Sequence, residues 1–319
     1  VPQTEVSARP VKFRFPLQSQ DTLSIIEYFY AICNVSGWFF KSRKRKYYLL
    51  HKFKRLILYI FVHSYEKGMV VMATIALFSG QGSQYEKMGL DLVQQDAALE
   101  EIFEVASEVL GFDLYAVIAD SDAQTLAHTI YAQPAIMATS LVCLEAAKKR
   151  GFTYDAVAGH SLGEYAAMVA AGMLSLEDGF KVIKARSEAM DAAAKAADGA
   201  MCAILKLAPA EVERICSETE GYVIPANYNS SVQTVIAGDR DAVEKAAAAC
   251  AALKARAVPL AVASAFHTKL MQPAADTFYK AIQNVKFSAP TVPFYSNVLG
   301  AVRTELSERF VISCELTLT

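Results

Sequence analysis

From Met72 onward, hydrophobic and polar positions alternate in an orderly rhythm of strand-like and helix-like runs. The apolar, β-rich run "ATIALF" stops at the glycine loop "SGQGSQ", the pattern of a buried strand closed by turn residues. A helix-period segment follows from about Leu90 to Leu110. "TLAHTIYAQPAIMATSLVCLEAAKKRG" predicts a second helix, starting near Gln133-Pro134 and ended by Lys148, Lys149, Arg150 and Gly151; basic last turns and a trailing glycine are ordinary helix stops. The strand "DAVAG", a tight corner, the helix "LGEYAAMVAAGM" and a longer helix from about Ser175 through Ala194 come next. Strand and helix alternate, which predicts a parallel sheet with helices packed on it.

Between about Gly199 and Ala265 the order changes to strand "MCAILKL", helix "PAEVERICSET", strand "YVIPANY", strand "QTVIAGD", helix "RDAVEKAAAACAAL" and strand "ARAVPLAVA". This is βαββαβ, the ferredoxin-like arrangement, short enough to be an inserted subdomain. The helical segment "TKLMQPAADTFYKAIQ" and the strand "VPFYSN" then return to the first pattern. The expected fold class is α/β. A main domain, residues 72–198 and 266–319, carries a mostly parallel sheet and a nucleophile elbow of the α/β-hydrolase kind; residues 199–265 form the ferredoxin-like subdomain.

Residues 1–71 lack sustained periodicity and carry twelve Lys/Arg against four Asp/Glu, whereas the whole chain has a formal charge of −2. The apolar stretch "IIEYFYAICNVSGWFF", followed by the basic run "KSRKRK", has the order of a membrane anchor. It is shorter than the roughly 20 residues a spanning helix needs, and Glu27 interrupts it. It is also a poor secretory signal, lacking a basic beginning and a small-residue cleavage site. Residues 1–71 are therefore expected to be an atypical leader, non-native or disordered, with Met69 or Met72 as the biological start. Over the whole chain, 54% hydrophobic and 20% charged residues fit a soluble globular protein, and the small net charge of −2 gives no pull toward nucleic acid or anionic membranes. Six cysteines, Cys33, Cys143, Cys202, Cys216, Cys250 and Cys314, show no C-x-x-C or metal-ligand spacing. They predict reduced thiols in a cytoplasmic protein and no metal site.

Gly159-His160-Ser161-Leu162-Gly163 fits G-x-S-x-G between a strand and a helix, the context in which a tight turn exposes a serine hydroxyl. That hydroxyl needs a base to take its proton. His51 and His63 fall in the leader, His128 is expected mid-helix, and His160 adjoins the serine. His267 in "SAFHTKLM" remains as the candidate, in a loop that could return it to the main sheet. No aspartate is obviously placed as a third member, so a dyad and a triad both stay open. A tetrahedral oxyanion needs two backbone donors. The Leu162 amide at the start of the helix supplies one, and the loop Gly80-Gln81-Gly82-Ser83-Gln84 is suited to supply the other. A phosphate cradle is the competing use of that loop, although neither G-x-G-x-x-G nor a Walker pattern is present.

The pieces "GQGSQ" (80–84), "QPA" (133–135), "GHSLGEYAA" (159–167), "RSEAM" (186–190), "NYNS" (227–230) with "QTVIAG" after it, and "AFH" (265–267) resemble, in order and spacing, the bacterial malonyl-CoA:acyl carrier protein transacylases. They also resemble the related acyltransferase domains of polyketide and fatty acid synthases. The resemblance covers about residues 72–300. It implies that Ser161 accepts the acyl group, that His267 is its general base, and that the Gln81 and Leu162 amides form the oxyanion hole. It further implies that Arg186 holds the malonyl carboxylate, a residue that helical position alone would place on a solvated surface. A planar guanidinium grips a carboxylate through two parallel charge-assisted hydrogen bonds, which lysine cannot copy. Gln133, Asn227 and Asn229 fall on family motif positions, and these three with His160 are assigned to supporting the site. "AFH" resembles the malonyl-selecting version of its motif.

The implied reaction is ping-pong, from malonyl-CoA through a malonyl-serine ester to the phosphopantetheine thiol of acyl carrier protein. It uses no cofactor and no metal, and a monomer is expected. One departure from the family stands out. The segment "GAVRTELSERFVISCELTLT" lacks the match expected beyond "YSN", where a backbone carbonyl orients the catalytic histidine, so the end is expected to be incomplete. Two alternatives stay open: a serine hydrolase or thioesterase sharing the corner and the base, and an impaired homologue that only docks acyl carrier protein.

Overall fold

The computed structural model describes residues 57–66, 69–260, 262 and 264–303. The apolar stretch 25–40, the basic run 41–46 and the divergent segment beyond residue 303 lie outside them. The chain enters through β1 (Ile57–Glu66) and β2 (Met69–Phe78), paired antiparallel with Ile57 opposite Phe78. "ATIALF" is thus the end of a longer strand, and its partner β1 falls within the segment expected to be a leader. Ile, Val, Phe and Tyr dominate β1, and β2 is apolar but for Thr74, compositions that fit a pleated surface.

The single helix expected over 90–110 is divided into α1 (Leu90–Gln95), a 3-10 turn (Ala97–Leu99) and α2 (Glu101–Leu110). Asp96 makes the break: it turns extended, and its carboxylate accepts from the Ala98 amide at 3.2 Å, capping the next turn. Asp113 and Asp122 cap α3 (Leu114–Asp120) and α4 (Ala123–Leu126) in the same way. α5 (Thr129–Lys148) begins five residues before Pro134, and His128, expected mid-helix, occupies its N-cap position. By length and composition α5 could cross a membrane, yet 83% of its apolar window is buried inside the protein; it is the core helix. β3 (Ala156–Gly159), α6 (Gly163–Ala170) and α7 (Leu176–Ala196) follow as expected, α7 capped by the Ser175 hydroxyl on the Asp178 amide.

The next segment builds its own sheet from β4 (Gly199–Leu205), α8 (Pro209–Glu218), β5 (Val223–Ser230), β6 (Gln233–Asp239), α9 (Arg240–Ala252) and β7 (Arg256–Pro259). All pairings are antiparallel, in the order β5-β6-β4-β7. Its strands show the two-residue alternation of a sheet covered on both faces. Cys202, Ile204 and Ile236 pack with α8 and α9 in a small separate core, whereas Met201, Ala203, Val235 and Ala237 join the main core.

A 3-10 turn (Lys269–Met271) and α10 (Gln272–Ile282) lead to β8 (Phe294–Ser296) and β9 (Ala301–Arg303), which complete the main sheet in the order β1-β2-β3-β8-β9. β2, β3 and β8 are mutually parallel, and the outer pairs β1/β2 and β8/β9 are antiparallel. The sheet is therefore mixed rather than mostly parallel, because only Lys67 and Gly68 separate β1 from β2, and so short a connection permits only antiparallel pairing. The carboxyl ends of β2, β3 and β8 share one edge, the edge at which open α/β sheets place their ligands.

Candidate active site

At that edge β3 passes through Gly159-His160-Ser161-Leu162-Gly163 into α6. Ser161 has φ +50°, a left-handed conformation that a residue with a Cβ seldom adopts. Backbone bonds close the turn: His160 N to Phe78 O at 2.9 Å, Gly163 N to His160 O at 2.9 Å and Glu164 N to Ser161 O at 3.1 Å. The two glycines are required by close approach. A Cβ on Gly159 would overlap the Gly163 carbonyl, and one on Gly163 would overlap the Phe78 and Ser79 carbonyls.

Two distant segments converge on the hydroxyl. His267 Nε2 lies 3.2 Å from Ser161 Oγ, and Arg186 Nη2 donates to the same oxygen at 2.9 Å. Since the guanidinium can only donate, Oγ accepts from it and is free to donate its own proton to Nε2. The neutral imidazole then carries its hydrogen on Nδ1. His267 itself has φ +62°, and Thr268 fixes the turn around it by donating to Ala265 O at 2.7 Å and accepting from Leu270 N at 3.2 Å.

Arg186 is not on a solvated surface. It is 1% exposed, its guanidinium 5.5 Å from the centre of the Tyr165 ring. Its Nη1 donates to Gln133 Oε1 at 2.8 Å, and the buried Gln133 donates in turn toward Gln81 Oε1 and Met190 Sδ, each at 3.4 Å. Gln81 Nε2 reaches Thr129 Oγ1 at 3.4 Å. The loop after β2 is thereby tied to the same cluster, and a Cβ on Gly80 would collide with the His160 ring. The amides of Gln81 and Leu162 donate to no acceptor among the described residues.

His160 is unsuited to be the base. Burial, followed by the charges of His267 and Arg186, pushes its imidazole down to about 3, so it resists taking up a proton near pH 7. Asn227 and Asn229 lie on β5, Asn227 half-buried and Asn229 buried. Neither makes a hydrogen bond to Ser161, His267 or Arg186 among the described residues, so both stand apart from the bonded cluster. Among the described residues no group of three His, Cys, Asp or Glu side chains could hold a metal ion.

Two residues were missed by the sequence reading. Asn297, just past β8, accepts the Ser161 amide on Oδ1 at 3.0 Å and donates from Nδ2 to Gly159 O at 2.7 Å; its own backbone amide donates to Glu164 Oε1 at 2.9 Å. Glu164 is buried in the first turn of α6. Burial pushes its carboxyl up to about 7, against the hydrogen bonds from Asn297 and the charges of Arg186 and Arg303. A carboxylate within the otherwise apolar run "LGEYAAMVAAGM" was the one available signal for it.

A sheet-edge serine joined to an imidazole and a buried guanidinium is equipped for acyl transfer. Residues 76–311 match the acyl transferase domain family, and the chain belongs to it. Over 226 residues it is 41% identical to the malonyl CoA-acyl carrier protein transacylase of Escherichia coli K12, covering 70% of this chain and 73% of that protein. Over 242 residues it is 40% identical to the Bacillus subtilis protein of the same name, covering 74% and 76%. Among solved structures it is similar to the malonyl CoA-acyl carrier protein transacylase of Coxiella burnetii, with TM-score 0.73, 35% identity and coverage of 76% and 78%. It is also similar to a malonyl-transacylase in complex with its type II polyketide synthase acyl-carrier protein, with TM-score 0.72, 35% identity and coverage of 76% and 80%.

Proposed function

We propose that this chain transfers a malonyl group from malonyl-CoA to the phosphopantetheine thiol of acyl carrier protein, through a malonyl ester on Ser161. The carrying observation is the position of Ser161 Oγ, 3.2 Å from His267 Nε2 and 2.9 Å from Arg186 Nη2. In the first half-reaction Oγ attacks the thioester carbonyl as its proton passes to Nε2. The developing oxyanion is received by the Leu162 and Gln81 amides. When the tetrahedral species collapses, the C–S bond breaks and the imidazolium returns its proton to the departing CoA sulfur. In the second half the phosphopantetheine thiol gives its proton to Nε2 and its sulfur attacks the ester; the C–O bond then breaks and Oγ is reprotonated. Arg186 exchanges its contact with free Oγ for the malonyl carboxylate, while Gln133 holds the other edge of the guanidinium. No step as written draws on a cofactor.

On this reading the strained turn at 159–163 is a nucleophile elbow, which the φ of Ser161 and the close approach at both glycines support. Residues 199–265 are a ferredoxin-like insert in the main domain, supported by the antiparallel order β5-β6-β4-β7 with both helices on one face. A reducing, cytoplasmic setting fits the four described cysteines, all buried and unpaired; burial pushes the Cys143 and Cys216 thiols up to about 12. The test is intact-protein mass after mixing with malonyl-CoA, with Ser161→Ala as control. One malonyl adduct on the wild type and none on the variant is the expected result. Absence of an adduct in both, or rapid conversion to free malonate, would contradict the transferase.

A further inference from the structure

The turn that presents Ser161 is braced by two side chains that take no part in the steps above. Asn297 reaches it from the end of β8, 136 residues further along the chain, and its three hydrogen bonds straddle the corner. One takes the carbonyl of Gly159 before the turn, one takes the amide of Ser161 itself, and the third ties Asn297 to Glu164 in the first turn of α6. A non-glycine residue at φ +50° persists only where its surroundings over-determine it. At Ser161 that over-determination comes from a side-chain amide used at both ends.

We infer that Asn297 and Glu164 are a positioning pair for the proposed reaction: they fix the backbone of Ser161 and so set the line along which Oγ meets His267 Nε2. The inference rests on the reading of Ser161 as the acyl-accepting residue. The chemistry of the two positions differs. Residue 297 must accept from the Ser161 amide and donate to the Gly159 carbonyl at once. An asparagine does both, whereas an aspartate could do only the first and would turn a charged oxygen toward a carbonyl. Residue 164 has only to accept from the Asn297 amide, and glutamine can replace it. Charged groups that bear on this carboxyl from neighbouring elements are Arg186 on α7 and Arg303 on β9. Its upward shift is consistent with a neutral amide serving in its place.

The experiment compares the full-length wild type, Asn297→Asp, Glu164→Gln and Glu164→Ala in single-turnover malonylation of Ser161 over a range of malonyl-CoA concentrations. Thermal melts of each accompany it. A misplacement of about 1 Å costs on the order of 100-fold in rate. Asn297→Asp and Glu164→Ala are therefore expected to lose about that much of the maximal acylation rate, with half-saturation unchanged. Glu164→Gln is expected to stay within about threefold of wild type, rescued as a conservative acceptor. A fluorophosphonate probe, which needs the serine but no carboxylate site, should rank the variants in the same order.

Wild-type rates in Asn297→Asp, a loss seen only as weaker half-saturation, or equal losses in Glu164→Gln and Glu164→Ala would each overturn the pair. If Asn297→Asp does not fold, the comparison between the two Glu164 variants decides. A wild type that malonyl-CoA does not label would overturn the functional reading itself, a result distinct from labelling that the variants leave unchanged.

Discussion

Replacing Arg186 with alanine tests whether the buried guanidinium selects the substrate. In the structure its two terminal nitrogens reach Gln133 Oε1 at 2.8 Å and Ser161 Oγ at 2.9 Å, so the group is held at one edge and aimed at the reacting oxygen from the other. A hydrogen bond to a charged group is worth about 1.5–3 kcal/mol. A two-bond grip on the malonyl carboxylate is then worth about 3–6 kcal/mol, or roughly 100- to 10,000-fold at about 1.4 kcal/mol per tenfold. The lower end is the better expectation, since water can enter the space that the side chain leaves. Acetyl-CoA has no carboxylate to lose, so any transfer from it should change by less than about tenfold. Arg186→Lys keeps the charge but cannot bond Gln133 and the substrate in one plane, and should fall between the two. The assay is kcat/KM for malonyl-CoA and acetyl-CoA with the same acyl carrier protein, alongside thermal melts. An unchanged malonyl-to-acetyl ratio, or equal losses for both substrates, would refute the clamp.

Gly163→Ala drives a Cβ into the Phe78 and Ser79 carbonyls. It should lower stability in urea by about 1–3 kcal/mol, the usual range for overpacking; wild-type stability would contradict the close packing of α6 on β2. Glu164, with a folded value of about 7 against an ordinary 4.5, keeps a proton in the folded state that the unfolded chain releases. Its contribution to stability is present below 4.5 and is lost as pH rises through 7, up to about 3 kcal/mol. His160, at about 3, works in reverse. Its contribution is present above its ordinary value near 6.5 and is lost as pH falls toward 3. The two slopes oppose one another between pH 4.5 and 6.5. Glu164→Gln should therefore gain on the wild type as pH rises from 4.5 to 7 in urea titrations, and a flat difference would show that the carboxyl titrates normally.

How much of this was legible in the sequence differs from residue to residue. The corner could be read because glycine is demanded on both sides of Ser161 and because an apolar strand and helix flank it. Ser161 and His267 could be paired by elimination among five histidines. Arg186 was different: helical period alone places it in solvent, and only its motif suggested the buried role that its 1% exposure fits. The divided helix at Asp96 was hidden, since the apolar period runs on through it and the break depends on a local carboxylate-to-amide bond. Burial moved the start of α5 ahead of Pro134, where local rules had put it; Thr129, Ala132 and Gln133 are buried against the core. β1 escaped notice because residues 1–71 show no sustained alternation, and its pairing with β2 is a tertiary fact. Asn297 carried no local signal, as its side-chain partners Gly159 and Ser161 lie 138 and 136 residues away.

On the proposed mechanism one serine ester links the two half-reactions, and that ester can be isolated. Wild-type protein is loaded with malonyl-CoA, freed of excess by gel filtration, and mixed with acyl carrier protein bearing phosphopantetheine while the masses of both proteins are followed. The malonyl mass should leave the Ser161 peptide and appear on the carrier faster than free malonate forms. Malonate released while the carrier stays unloaded, or a malonyl group mapped to any other residue, would contradict that mechanism.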